Sequence, residues 1–135
     1  PLIYLDTSAL VKLEVREAET PQLIEWLALY SGVPVVTSAV GRVELMRTAL
    51  RDGSPGVAER ARDLLDALDL IPLGDAVIDV AESIGPSSLR SLDALHLASA
   101  SVIRAEMSAF VAYDHRLLAG ASTLGYPTVA PGAVS

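Results

Sequence analysis

Asp6, Glu44, Asp93 and Asp114 lie far apart along the 135-residue chain, so only tertiary structure can bring them together. Several carboxylates in one crevice repel one another and raise one another's pKa values unless a cation answers them. Hard oxygen ligands with no His or Cys partner favour Mg²⁺ or Mn²⁺ over Zn²⁺. A divalent ion held this way suits the activation of water against a phosphodiester, so metal-dependent nuclease chemistry is the first expectation. Each acid also has an ordinary explanation. Asp6 and Asp114 follow apolar runs and read as helix N-caps. Asp93, two residues after Ser91, complements a helix dipole. Glu44, set between Val43 and Leu45, has Arg47 at i+3 as a surface ion-pair partner. These explanations serve the acids singly and not as a group.

The elements that must position them follow from the pattern of apolar residues. Leu2-Ile3-Tyr4-Leu5 reads as a buried strand, and Thr7 to Glu14 as a short helix opened by Asp6. Pro21 fits the first turn of a second helix, with Leu23, Ile24, Leu27 and Tyr30 on one face, ended by Gly32. Val33 to Thr37 is a second strand, and Ser38 caps a helix running to about Arg51. Asp52-Gly53-Ser54-Pro55-Gly56 is a loop. From Val57 a surface helix follows, then a strand at Leu70 to Leu73 and a helix through Ile84. Gly85-Pro86-Ser87-Ser88 leads to Ser91, read as the cap of a helix from Leu92 to about Arg104. A strand at 110–113, a helix from Asp114 to Ala121 and a strand near Pro127-Thr128-Val129 complete the chain. Alternating strands and helices imply a parallel sheet covered on both faces, a doubly wound α/β fold. In such sheets the functional crevice lies beyond the carboxyl ends of the strands, where the helix-opening acids fall.

Residues 1–135 are expected to form a single domain, since 51% hydrophobic residues suffice for one core. With no cysteine, disulfides, zinc–thiolate sites and thiol catalysis are excluded. Neither a signal peptide nor a membrane span is expected, because the first apolar run stops at Asp6. The expected location is the cytoplasm. The net charge of −7 argues against broad coating of a nucleic acid duplex, but setting aside the four site acids leaves −3. An acidic surface also suits a basic partner. Pro131 to Ser135 are expected to fray.

Around the acids, Thr7 and Ser8 read as helix-start hydroxyls able to hydrogen-bond a bound water or phosphate. His96, between Leu95 and Leu97, reads as a packed, hydrogen-bonded ring, and His115 as an exposed first-turn residue. Arg42 and Arg116, each two residues from a candidate acid, are the basic side chains picked for phosphate contact.

Four segments carry a family resemblance: Tyr4-Leu5-Asp6-Thr7-Ser8-Ala9-Leu10-Val11-Lys12, Val43-Glu44-Leu45, Leu92-Asp93-Ala94-Leu95-His96-Leu97-Ala98 and Tyr113-Asp114-His115-Arg116-Leu117. In this order and approximate spacing, covering nearly the whole chain, they resemble the PIN-domain ribonucleases and, more narrowly, VapC-type toxins of bacterial toxin–antitoxin pairs. The resemblance implies a five-stranded parallel sheet in the order 3-2-1-4-5. It implies an acidic groove lined by Asp6, Glu44, Asp93 and Asp114, in which Asp6, Asp93 and Asp114 bind Mg²⁺ or Mn²⁺ and Glu44 completes the shell or orients water. It further implies endonucleolytic cleavage of a transfer, ribosomal or messenger RNA, with 5′-phosphate and 3′-hydroxyl ends expected from in-line attack. Its implied partners are a VapB-type antitoxin whose tail enters the groove and a second copy of the chain, with a larger toxin–antitoxin assembly and no membrane.

Two other classes compete. A non-catalytic protein- or RNA-binding module on the same scaffold would lack metal affinity and cleavage. Aspartyl-phosphate chemistry at Asp6 commonly needs a second acid two residues on, where this chain has Ser8.

Overall fold

A computed structural model describes residues 1–134. The apolar run after Pro1 forms β1 (Leu2–Leu5), and Asp6 turns the chain into α1 (Thr7–Glu14), followed by α2 (Thr20–Leu29). Then come β2 (Val35–Ser38), α3 (Ala39–Asp52), α4 (Val57–Asp66), β3 (Asp69–Ile71) and α5 (Asp75–Ala81). The last part holds α6 (Ser91–Ser101), a 3₁₀ turn (Arg104–Glu106), β4 (Met107–Val111), α7 (His115–Thr123) and β5 (Thr128–Val129). The five strands form one parallel sheet in the order β3-β2-β1-β4-β5. The chain winds outward from β1 in one direction through β2 and β3, then returns to β1's other side with β4. Strand order therefore reverses between β1 and β4, where Leu5 and Val111 lie paired at the carboxyl edge.

Period-2 alternation divides each central strand between two cores. Ile3, Leu5, Ala109 and Val111 face one side with Leu10, Leu23, Leu45 and Leu65 from the helices. Tyr4 and Phe110 face the other with Leu97 and Leu117. On the β2 side, α3 lies so close that a Cβ on Gly41 would stand 2.4 Å from Thr37 Oγ1. Thr37 is held in place by donating to the Leu5 carbonyl at 2.7 Å.

Several boundaries differ from the sequence reading. β2 starts at Val35, although Pro34 still contributes its carbonyl to Ile3 N–H at 3.0 Å. β4 covers Met107–Val111 instead of 110–113, because its ladder with β1 begins at Met107 and its Val111 carbonyl turns to the Asp6 N–H. Ser91 is the first residue of α6 and not its cap; Arg90 holds the cap position without a side-chain bond, and α6 stops at Ser101, short of Arg104. On α2, Leu23 is buried while Ile24 and Tyr30 are exposed, so those four residues do not share a buried face. The tail is tied at Pro131, whose carbonyl accepts from Tyr113 Oη at 2.8 Å. Ala133 N–H also bonds the Ala130 carbonyl, while Ser135 lies outside the described residues. Among the described residues, no helix is long and apolar enough to cross a membrane.

Candidate active site

Asp6 leaves β1 at the topological reversal and caps α1, its Oδ1 accepting from Ala9 N–H at 2.9 Å. Ser8 Oγ lies 2.7 and 2.9 Å from the two Asp6 oxygens. That hydroxyl also accepts from Tyr113 N–H at 2.9 Å, which ties the segment preceding Asp114 to Asp6. Asp6 is only 3% exposed. Burial pushes its carboxyl up to about 6, and Glu44 adds to the rise, against the opposing hydrogen bonds of Ser8 and Ala9 and the nearby His96.

Glu44 arrives from α3, which Ser38 caps by accepting from Gly41 N–H at 3.1 Å. Its Oε1 takes two donors, Thr7 Oγ1 and His96 Nε2, the latter at 2.8 Å. Burial alone would raise this carboxyl, but those hydrogen bonds outweigh it and hold Glu44 below its ordinary value. Oε2 is left without a protein donor among the described residues.

Asp93 and Asp114 form the outer part of the site. Asp93 stands in the first turn of α6. Its carboxyl is raised by partial burial and then by Asp114, with Glu44 adding and His96 and Arg90 opposing. No protein donor anchors it among the described residues. Asp114 caps α7, Oδ1 accepting from Leu117 N–H at 2.9 Å. Asp93 and Asp114 line a groove of about 290 Å³ together with Arg90, His115 and Arg116.

The four acids thus share one electrostatic neighbourhood: Asp6 with Glu44, and Asp93 with both Glu44 and Asp114. Asp6 and Glu44 do not line the groove that Asp93 and Asp114 share, and among the described residues no three His, Cys, Asp or Glu side chains converge tightly enough to hold an ion as they stand. The donor chemistry nevertheless fits a hard divalent cation. Every carboxylate is an oxygen ligand, Asp6 and Asp93 are pushed up by burial and by neighbouring carboxylates, and Glu44, Asp93 and Asp114 keep oxygens without protein donors among the described residues. A larger cavity of about 500 Å³ lies between α5 and α6, among Ile78, Ile84, Leu89 and Leu95, and contains none of the four.

Of the two arginines picked from sequence, Arg116 lines the groove with Asp93 and Asp114, while Arg42, half-buried on α3, does not. Arg90 lines it too and was not picked; its place one helical turn before Asp93 is the signal that could have found it. His115 is exposed and His96 is packed, both as read from sequence. The contact of His96 with Glu44 had no local signature.

Residues 3–121 match the family model described as PIN domain. The chain is 56% identical over 135 residues to "Ribonuclease VapC47" of Mycobacterium tuberculosis, covering 98% of this chain and 99% of that protein. It is 41% identical over 129 residues to "Ribonuclease VapC46" of the same species, covering 96% and 97%. Among solved structures, a toxin–antitoxin complex from Klebsiella pneumoniae superposes with a TM-score of 0.69 at 22% identity, covering 98% of this chain and 99% of that one. VapC20 of M. tuberculosis, described as a sarcin–ricin-loop-cleaving toxin, superposes with a TM-score of 0.67 at 20% identity, covering 96% and 99%.

Proposed function

The chain belongs to the PIN-domain family as a VapC-type member, and on that premise we propose that it is the toxin of a type II toxin–antitoxin pair, a Mg²⁺- or Mn²⁺-dependent endoribonuclease. The observation that carries the reading is the shared electrostatic neighbourhood that links Asp6 to Glu44 and Asp93 to Glu44 and Asp114, with no Lys or Arg in a salt bridge to any of the four among the described residues. The ribonuclease names of its relatives supply the substrate class.

In this reading Asp6, Asp93 and Asp114 hold the ion and Glu44 completes the site. When bound, a divalent cation lowers the pKa of water and polarises the scissile phosphate. Glu44, ionised and fixed by one oxygen, uses the other to accept a proton from the attacking water or to orient it. Arg116 and Arg90 hold phosphates at the groove's outer edge, and Arg42 contributes a weaker contact from α3. No Phe, Tyr or Trp lines the groove, so RNA is recognised there by shape and backbone charge, with the His115 ring and the arginine planes as the surfaces able to stack on a base. In-line attack leaves 5′-phosphate and 3′-hydroxyl ends.

The partner is a VapB-type antitoxin. Support comes from the structural neighbours described as toxin–antitoxin complexes and from the acidic balance of the chain, which suits a basic segment. The working unit is a homodimer in the cytoplasm. A non-catalytic binding module is favoured by one observation, the open spacing of the acids.

Cleavage of total bacterial RNA by the wild type and by Asp6→Ala, with Mn²⁺, Mg²⁺ or chelator, tests the proposal by sequencing of 5′-phosphate ends. Discrete cuts that vanish with the variant or the chelator are expected. Cuts that survive Asp6→Ala sink the assignment, and a folded, antitoxin-free chain that neither cuts RNA nor binds metal leaves the binding module in its place.

A further inference from the structure

We infer that His96 is a positioning residue for Glu44: it fixes one carboxylate oxygen against the core and leaves the other for the chemistry of the groove. The inference deepens the ribonuclease reading and rests on it for its kinetic consequences.

A packed core histidine needs only to satisfy its own two nitrogens. His96 does that with partners that lead directly to the site. The ring is 3% exposed, on α6 one turn after Asp93. Nδ1 lies 2.8 Å from Tyr4 Oη and Nε2 lies 2.8 Å from Glu44 Oε1. An ionised carboxylate only accepts, so Nε2 carries a hydrogen and donates it to Glu44, while Nδ1 shares a hydrogen bond with the Tyr4 hydroxyl on the far side of the ring. Thr7 Oγ1, 3.0 Å from Nε2, gives its own hydrogen to the same Glu44 oxygen.

The anchor behind the ring is rigid. Tyr4 is fully buried in the central strand and stacks on Phe110 with centroids 5.1 Å apart and planes 4° from parallel. It meets His96 edge-on at 6.1 Å. On the opposite side, a Cβ at Gly41 would stand 3.5 Å from His96 Cε1, an ordinary packing distance, so α3 lies directly against the ring. One imidazole thereby joins β1, α1, α3 and α6, the elements that carry Asp6, Glu44 and Asp93. Partners of this kind, which orient a ligating or catalytic group from behind, typically cost about 10- to 100-fold in metal affinity or activity when removed.

The test compares the full chain with His96→Leu, His96→Gln, Tyr4→Phe and Glu44→Gln. His96→Leu is expected to lower kcat by about 10- to 100-fold with KM unchanged, and to weaken Mn²⁺ binding read by paramagnetic resonance. His96→Gln, which keeps a donor, recovers part of both. In the Glu44→Gln background, replacing His96 costs little more, because the group it positions is already gone. Additive losses overturn the inference, as does a folded His96→Leu with wild-type kcat and Mn²⁺ affinity. If His96→Leu does not fold, His96→Gln and Tyr4→Phe carry the comparison. An independent readout needs neither metal nor RNA. In chelator, nitrogen NMR is expected to show a hydrogen on His96 Nε2, and an Nε2 without one overturns the inference. A wild type that cuts no RNA refutes the ribonuclease reading and leaves the Nε2 hydrogen to decide this one.

Discussion

The two pairs of acids, Asp6 with Glu44 and Asp93 with Asp114, are held on different principles. Asp6 and Glu44 are locked from behind, one by Ser8 and Ala9 N–H and the other by Thr7 and His96, so their geometry is set before anything binds. Asp93 and Asp114 stand at the mouth, where Asp114 is held by a single cap bond and Asp93 by none among the described residues. The locked pair supplies preorganisation, which favours catalysis because no reorganisation remains to be done during the reaction. In the proposed function, the loose pair supplies the adaptability needed to take up a cation and a polyanion.

The contrast is easiest to break at Asp6. Its carboxyl, raised to about 6 by burial, takes up a proton more readily in the folded chain than in the unfolded one. The stability linked to that proton is fully present below the ordinary aspartate range and is lost as the pH rises through about 6. Asp6→Asn keeps an acceptor for Ala9 N–H and removes the charge. The variant is expected to abolish cleavage while raising stability near pH 7, in chelator, by on the order of 1–3 kcal/mol. Urea unfolding at pH 4.5 and pH 7 measures it, and equal stability of the two proteins at pH 7 would show that the locked pair is not charge-frustrated.

A smaller effect is expected at the mouth. Asp114→Ala loses the α7 cap and should cost about 1 kcal/mol, whereas Asp114→Asn should cost only a few tenths while impairing cleavage equally. Thermal unfolding of the two, paired with cleavage rates, separates capping from chemistry. The smallest effect sharpens the loose pair. The ion pairs among the described residues are Lys12 with Glu17 and Glu19, Arg60 with Glu14, and His96 with Glu44, so neither Arg90 nor Arg116 is engaged. Replacing either with Ala is expected to weaken RNA binding several-fold and to reduce its salt slope by about one, measured in an Asp6→Ala background that binds without cutting. Arg42→Ala should change both less, and a larger effect there would move the RNA path toward α3.

Much of this arrangement was legible in sequence wherever local chemistry decides it. Asp6, Ser38 and Asp114 announce helix starts because a short acceptor after an apolar run satisfies a free first-turn N–H, and all three do so. Ser91 misled because the same rule applied to a polar stretch where the backbone begins its helix one residue earlier, with Arg90 at the cap position. β4 was misplaced because Ser108 interrupts its apolar run, while the ladder with β1 that defines the strand is a long-range property. The four acids stand out in sequence by type and by place relative to strands and helices. Their supports, Ser8 to Tyr113 N–H and His96 to Glu44, join residues 105 and 52 positions apart, and no local pattern encodes such pairs.

The sheet's outermost strands, β3 and β5, are three and two residues long. A strand edge that short offers a passing chain few free N–H and C=O groups to pair with, and Asp69 places a charge on one of them. Most of the exposed large apolar side chains, among them Ile24 and Leu29 on α2 and Val43 and Leu50 on α3, sit on helices, and among the described residues only Leu70 lies on a strand. Self-association of the lone chain is therefore channelled toward side-chain clustering between helices, which dilution reverses, and away from growth of a cross-β fibre.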